Sequence, residues 1–261
     1  MFKFKFNLTS RIITSVISIL IIACAVSLAT FALRGVRPEL KQPIAEKSDL
    51  VDSPSALGET MDYGQFYVDS MIFLGDTTIS DMRAKGVLAD GEETIQIWSD
   101  TDGRLPLASS IDKTEIAFLE GEMYIADAVA QKNPQFLLIT VGIENGVRYC
   151  TEEQFKEYYS KLITIIKESS PSTKIILNSI FPVSKKYEKQ TQGISMDKID
   201  TANEWIVEIA EEQGVKYLHS VSALKGSNGY LDPQYDSGDG LHLNADGYNA
   251  FFAYIRTHGY K

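Results

Sequence analysis

The chain predicts an α/β fold, a mostly parallel sheet covered by helices on both faces. Three observations predict it. From Met61 onward, short apolar runs alternate with amphipathic stretches of strand and helix length. Phe136 to Val141 is almost wholly apolar, as a strand covered on both faces must be. Met196 to Gln213 is a long amphipathic stretch closed by Gly214, and the apolar Val215 to Leu218 follows at once, so a helix returns the chain to a sheet.

Taken in order, residues 1–11 carry Lys3, Lys5 and Arg11, and Ile12 to Leu33 is an uncharged run rich in Ile, Leu, Val, Ala and Phe. As a helix that run spans roughly 33 Å, enough to cross a hydrocarbon core. The basic residues before it favour a cytoplasmic N-terminus, with everything after the run outside. A transmembrane signal anchor over residues 12–33 is the expectation. A cleaved signal peptide, with small residues at Ala23 to Ala25 and Ser27 to Ala29, and a lipidated Cys24 in Ile21-Ile22-Ala23-Cys24 are the alternatives. All three place the remainder outside the cytoplasm. Residues 34–60 contain Pro38, Pro43 and Pro54 with no apolar period and read as a linker; residues 61–261 read as the domain.

Within the domain, Ser70 to Leu74 is the first strand, followed directly by Gly75-Asp76-Thr77, and Thr94 to Trp98 is the second. Met123 to Gln131 reads as a helix stopped by Asn133-Pro134, and Phe136 to Val141 as the next strand. Thr151 is placed to cap a helix with Glu152 and Glu153 in its first turn, reaching about Ser169. Lys174 to Ser179 is a strand, and the last helix starts near Asn244 and runs to about His258. In sheets of this kind ligands bind at the carboxyl ends of the strands.

The composition excludes several functions. With 35 acids against 25 basic residues the net charge is −10, and Lys3, Lys5, Arg11 and Arg34 all lie at the N-terminal end, so the domain is more acidic still. Such a surface repels nucleic-acid phosphates, and no nucleic-acid partner is expected. The two cysteines, Cys24 and Cys150, fall one in the apolar run and one in the domain, so no intrachain disulfide is expected. There is no CxxC pair or His/Cys cluster to hold a structural zinc, and cofactor-free chemistry is expected. A Gly-x-Ser-x-Gly elbow, a P-loop and a dinucleotide glycine pattern are all absent.

Three segments fall at or beyond strand ends: Phe73-Leu74-Gly75-Asp76-Thr77-Thr78, Val141-Gly142-Ile143-Glu144-Asn145-Gly146, and Asp239-Gly240-Leu241-His242 before the last helix. Alone, an Asp-x-x-His spacing is weak, because acids are common in this chain. Order and placement raise the signal. Locally, Gly103 in Asp100-Thr101-Asp102-Gly103 and the dipeptide Asn145-Gly146 read equally well as turn residues. Trp98 reads as core, and His219 and His258 have no motif around them. Cys150 has no base partner in the sequence and is not assigned as a nucleophile.

Over roughly Tyr63 to Tyr260 these segments resemble the SGNH (GDSL-type) hydrolase superfamily, whose first block is Gly-Asp-Ser and whose last is Asp-x-x-His. Ile97-Trp98, Ser179-Ile180-Phe181-Pro182-Val183 and Arg256-Thr257-His258-Gly259-Tyr260 are similar to membrane-anchored members of clostridial type. The resemblance implies a three-layer, flavodoxin-like sheet. It also implies a triad in which Thr77 is the nucleophile, His242 takes its proton, and Asp239 orients the imidazole. The oxyanion donors it implies are the backbone N–H groups of Thr77 and Gly103 and the Asn145 side-chain amide.

The chain departs from the family pattern at three points. Thr77 stands where the family has serine, adding a methyl group and a stiffer χ1. The usual Gly-x-Asn-Asp block is Gly142-Ile143-Glu144-Asn145, so either a one-residue bulge restores the amide or the oxyanion hole is incomplete. Glu144 adds a negative charge beside a developing anion. The expected function is an extracytoplasmic ester hydrolase acting on an O-acyl group of a cell-envelope glycan. An O-acyltransferase with the same machinery, and a binding module that has lost catalysis, stay open.

Overall fold

The computed structural model describes residues 50–261. The expected anchor over 12–33, Cys24 and most of the linker lie outside the described residues. Among the described residues no helix is long and apolar enough to cross a membrane.

The chain enters through a short helix α1 (Gln65–Asp69) into strand β1 (Met71–Gly75). Helix α2 (Thr77–Lys85) follows at once. Gly75 makes the abrupt turn possible: a Cβ there would strike the Ile79 side chain and sit 2.7 Å from the Thr140 carbonyl oxygen. Strand β2 (Ile97–Trp98) comes next, then a hairpin of β3 (Glu115–Phe118) and β4 (Gly121–Tyr124), helix α3 (Ile125–Lys132) and strand β5 (Phe136–Thr140). The short helix α4 (Gly146–Tyr149) precedes the long helix α5 (Glu152–Ser169). Thr151 caps α5 in a reciprocal capping box, accepting from the Gln154 N–H while the Gln154 side chain accepts from its own. Strand β6 (Lys174–Asn178), helices α6 (Lys185–Gln190) and α7 (Met196–Gln213), strand β7 (Lys216–Leu218) and helix α8 (Ala245–Thr257) complete the domain. Gly214 ends α7 in the left-handed conformation, as its place after the amphipathic run requires.

The strands β2-β1-β5-β6-β7 form one five-stranded sheet in which every pairing is parallel. Without the hairpin this is the flavodoxin-like order, and the direction of winding reverses between β1 and β5. Successive strand residues point into opposite layers, so two cores form. Phe73, Leu138, Ile176 and Leu218 pack with residues of α1, α2 and α8. Leu74, Leu137, Ile139, Ile175, Leu177 and Tyr217 pack with residues of α3, α5 and α7. The three-layer α/β expectation is met.

Two sequence-based boundaries are corrected. The second strand covers only Ile97 and Trp98, shorter than Thr94 to Trp98, and just before it the Phe73 N–H still donates at 2.7 Å to the carbonyl of Gln96. The Gln96 side-chain amide donates to the Val68 and Met71 carbonyls at 3.0 and 2.9 Å. Met123 and Tyr124 belong to the hairpin, and the helix begins only at Ile125. The hairpin covers the edge-strand Trp98, whose ring meets Phe118 edge-on at 5.5 Å. At the opposite edge, part of the stretch read as linker is docked. Leu57 N–H donates to the Tyr217 carbonyl at 2.8 Å and Tyr217 N–H to that of Ser55 at 2.9 Å, covering the outer side of β7.

Candidate active site

The turns after β1 and β5 meet at the point where the winding reverses, and Asp76 joins them. It is buried and caps α2. One carboxylate oxygen accepts from the Thr78 N–H (3.2 Å) and the Thr78 hydroxyl (2.7 Å). The other accepts from the N–H groups of Gly142 (3.2 Å) and Ile143 (3.3 Å). Burial pushes its pKa up to about 6; the bonds from Thr78 and Ile143 pull the other way, and the Glu144 charge adds to the rise. The sequence marked Asp76 only as part of a motif. Its partners after β5 are far away along the chain, so nothing local revealed its bridging role.

Thr77 opens α2, half-buried, beside this bridge. Its hydroxyl donates to Oε1 of Glu144 at 3.0 Å. That contact spans the two turns across the switch point, whereas the sequence alone shows Glu144 only as a charge near the site.

Asp239 and His242 sit on the loop leading into α8. His242 Nδ1 lies 2.6 Å from Asp239 Oδ2, while Asp239 Oδ1 accepts from the N–H groups of Leu241 (2.8 Å) and His242 (2.9 Å). Partial burial pulls the Asp239 carboxyl upward, but the bonds from the His242 ring and these two N–H groups outweigh it and hold the pKa at about 2. The loop is tightly wound. Gly240 has φ +84°, and a Cβ there would meet the Ser184 side chain and lie 2.9 Å from the Tyr187 Cβ. Ser184 N–H in turn donates to the Gly240 carbonyl at 2.8 Å.

Two tyrosines tie this loop to the first site. Tyr248, in the first turn of α8, donates to the Thr78 carbonyl at 2.7 Å, so the helix after His242 is bonded to the helix that starts at Thr77. Tyr187 has its hydroxyl pKa raised, first by burial; Arg148 opposes the rise, and the charges of both Glu144 and Asp239 add to it. The three sequence segments therefore converge on the carboxyl edge of the sheet. In this resting arrangement the Thr77 hydroxyl is bonded to Glu144 and the His242 ring to Asp239. Among the described residues no hydrogen bond joins Thr77 to His242.

The three expected oxyanion donors differ. The Thr77 N–H, at the start of α2, and the Asn145 side-chain amide have no hydrogen-bond acceptor among the described residues. The Gly103 N–H is committed to the Asp100 carbonyl at 2.9 Å inside its own turn, with φ +74°. Gly103 does lie against α2, where a Cβ would fall 2.7 Å from the Ser80 hydroxyl oxygen, but its N–H is not available to an oxyanion here. Cys150 has its thiol pKa raised by burial, away from the reactive thiolate. A cavity of about 780 Å³ lies at the other end of the sheet, lined by Met71, Gln135, Phe118 and Leu119, and takes no part in this site.

With the geometry in view, the comparisons with known proteins are specific about family. The family model described as GDSL-like lipase/acylhydrolase matches residues 103–250, which include Glu144, Asn145, Asp239 and His242 and begin beyond Thr77. No curated protein matches the chain. Among solved structures, a protein from Streptococcus pneumonia provisionally described as a platelet activating factor is 18% identical. It covers 90% of this chain and 97% of its own, with a TM-score of 0.51. The periplasmic domain of a lipopolysaccharide acetyltransferase from Salmonella ser. Paratyphi A is 17% identical over 71% of this chain and 82% of its own, at TM-score 0.49. A GDSL-like lipase from Bacteroides thetaiotaomicron is 16% identical over 71% and 85%, at 0.48.

Proposed function

This chain belongs to the GDSL-like lipase/acylhydrolase family, and from that premise we propose that it is an ester hydrolase with Thr77 as nucleophile, His242 as general base and Asp239 as the group that orients His242. In the acylation step the Thr77 oxygen bonds to the acyl carbon and its proton passes to His242. The bond from that carbon to the ester oxygen breaks, and the leaving alkoxide takes the proton from His242. Water then repeats the sequence in reverse roles, releasing the carboxylic acid and restoring the Thr77 hydroxyl. The Thr77 N–H and the Asn145 amide are the donors offered to the oxyanion.

One observation carries this reading: the 2.6 Å contact between His242 Nδ1 and an Asp239 carboxylate that stays ionised down to about pH 2. Such a pair sets the imidazole tautomer and stabilises the imidazolium formed when the hydroxyl is deprotonated. Turnover of p-nitrophenyl acetate by the purified chain tests it. Thr77→Ala and His242→Ala are expected to lower kcat/KM by about 10³-fold, and Asp239→Asn by a comparable factor through the wrong tautomer. Equal rates in parent, Thr77→Ala and His242→Ala would remove the triad.

A second reading, a binding module that keeps the fold without turnover, is favoured by one observation: the Thr77 hydroxyl points at Glu144. Thr77→Ser separates the two. A large gain in the serine variant over a nearly inert parent would favour the binding module.

The site of action belongs to the same proposal. The uncharged run Ile12 to Leu33 behind Lys3, Lys5 and Arg11 supports a membrane anchor with the catalytic domain outside the cytoplasm, where an O-acylated envelope glycan is the substrate within reach. Protease added to intact cells is expected to digest the domain, and protection would overturn this location.

A further inference from the structure

Glu144 is a carboxylate in direct contact with the nucleophile, and nothing in the acyl-transfer chemistry uses it. Asp76 is held by four donors and Asp239 by the His242 ring and two N–H groups. Glu144, by contrast, accepts one hydrogen bond from a side chain, that of the neutral Thr77 hydroxyl. Among the described residues no Lys or Arg pairs with it. Its charge is felt by both Asp76 and Tyr187. A neutral or anionic acyl group bound at Thr77 would leave that charge uncompensated beside the oxyanion, which costs rate.

Distance limits which parts of a substrate can meet it. In an attacking complex the acyl carbon lies about 3 Å from the Thr77 oxygen. Glu144 Oε1 is itself 3.0 Å from that oxygen. A substituent on the carbon next to the ester carbonyl is therefore within reach of Glu144.

We propose that Glu144 reads the acyl group and selects esters bearing a cationic amine next to the carbonyl, that is, aminoacyl esters. The proposal rests on Thr77 being the nucleophile. It gives the contact with Thr77 a role in the reaction cycle. In the resting site Glu144 holds the hydroxyl. The substrate ammonium takes Glu144 as its counter-ion, and the released hydroxyl turns its proton toward His242. Substrate charge and nucleophile activation are then one event.

The test uses the full chain and two umbelliferyl esters of matched shape, glycyl and propionyl, at pH 6, where the glycyl amine is protonated. The quantity read is the ratio of kcat/KM for glycyl over propionyl, compared between parent and Glu144→Gln, so that the intrinsic reactivities of the esters cancel. The ratio is expected to fall about tenfold in Glu144→Gln, as for loss of a charge pair at a partly solvated site. Glu144→Asp, which keeps the charge, is expected to retain part of the preference. An unchanged ratio in Glu144→Gln, or a parent that favours the propionyl ester, overturns the proposal. If Thr77→Ala turns over both esters as fast as the parent, the nucleophile assignment has failed instead, and that outcome is read separately.

Discussion

At the residue scale, two aspartates in one site are driven in opposite directions by their surroundings. Asp76 is buried among backbone donors, and desolvation raises its pKa to about 6. A carboxyl whose folded pKa lies above its unfolded value favours the fold while protonated. Its contribution is complete below about pH 4 and is lost as pH rises through about 6. From 3.8 to about 6 this amounts to about 3 kcal/mol. Urea denaturation from pH 4 to 7 should show that slope in the parent and its absence in Asp76→Asn, which should also be less stable throughout because its amide faces the Gly142 and Ile143 N–H groups. Asp239 behaves in the reverse sense. Its pKa of about 2 means that its contribution is present above about pH 4 and lost only as pH falls through about 2, so it does not titrate in the range where ester hydrolysis would be assayed.

At the element scale, glycines decide where chemistry can be placed. Gly75 allows β1 to turn into α2 directly under Thr77, and Gly240 lets the Asp239–His242 loop lie against Ser184 and Tyr187 with φ +84°. Gly240→Ala must both strain that backbone and displace those side chains, at an expected cost of about 1–3 kcal/mol in a denaturant titration. Activity should fall further than stability, because the loop that moves carries His242, the proposed base. The long elements were legible because their signals are local. The Thr151 cap, the amphipathic run of α7 and the Gly214 stop all appear where their residue types predict. The β3–β4 hairpin was not legible. Its pairing of Glu115 with Tyr124 and Phe118 with Gly121 is a contact between segments, and Met123 and Tyr124 are apolar enough to extend the helix that follows.

At the scale of the whole molecule, the sheet works as a partition between two cores with a site on its carboxyl edge. Leu138, fully buried at the centre of β5, belongs to the layer of α1, α2 and α8, and its neighbours Leu137 and Ile139 belong to the other. Leu138→Ala is expected to destabilise the domain by about 2–5 kcal/mol in denaturant unfolding. It should also weaken the site, because α2 and α8, which flank Thr77 and His242, lean on that layer. The TM-score of 0.51 with the Streptococcus pneumonia structure at 18% identity fits this division: the layered scaffold is common to both proteins, and few side chains are.

What the sequence determined by itself was the alternation of strands and helices, the helix caps and stops, and three segments of reactive residues beyond strand ends. Each depends on propensity and periodicity over a few neighbouring positions. Tertiary structure alone decided the partners: that Asp76 bridges the turns after β1 and β5, and that the Thr77 hydroxyl rests on Glu144. The physical reason is that a hydrogen bond forms with whichever acceptor the folded chain brings within reach. Residues 77 and 144 become neighbours only once β1 and β5 lie side by side.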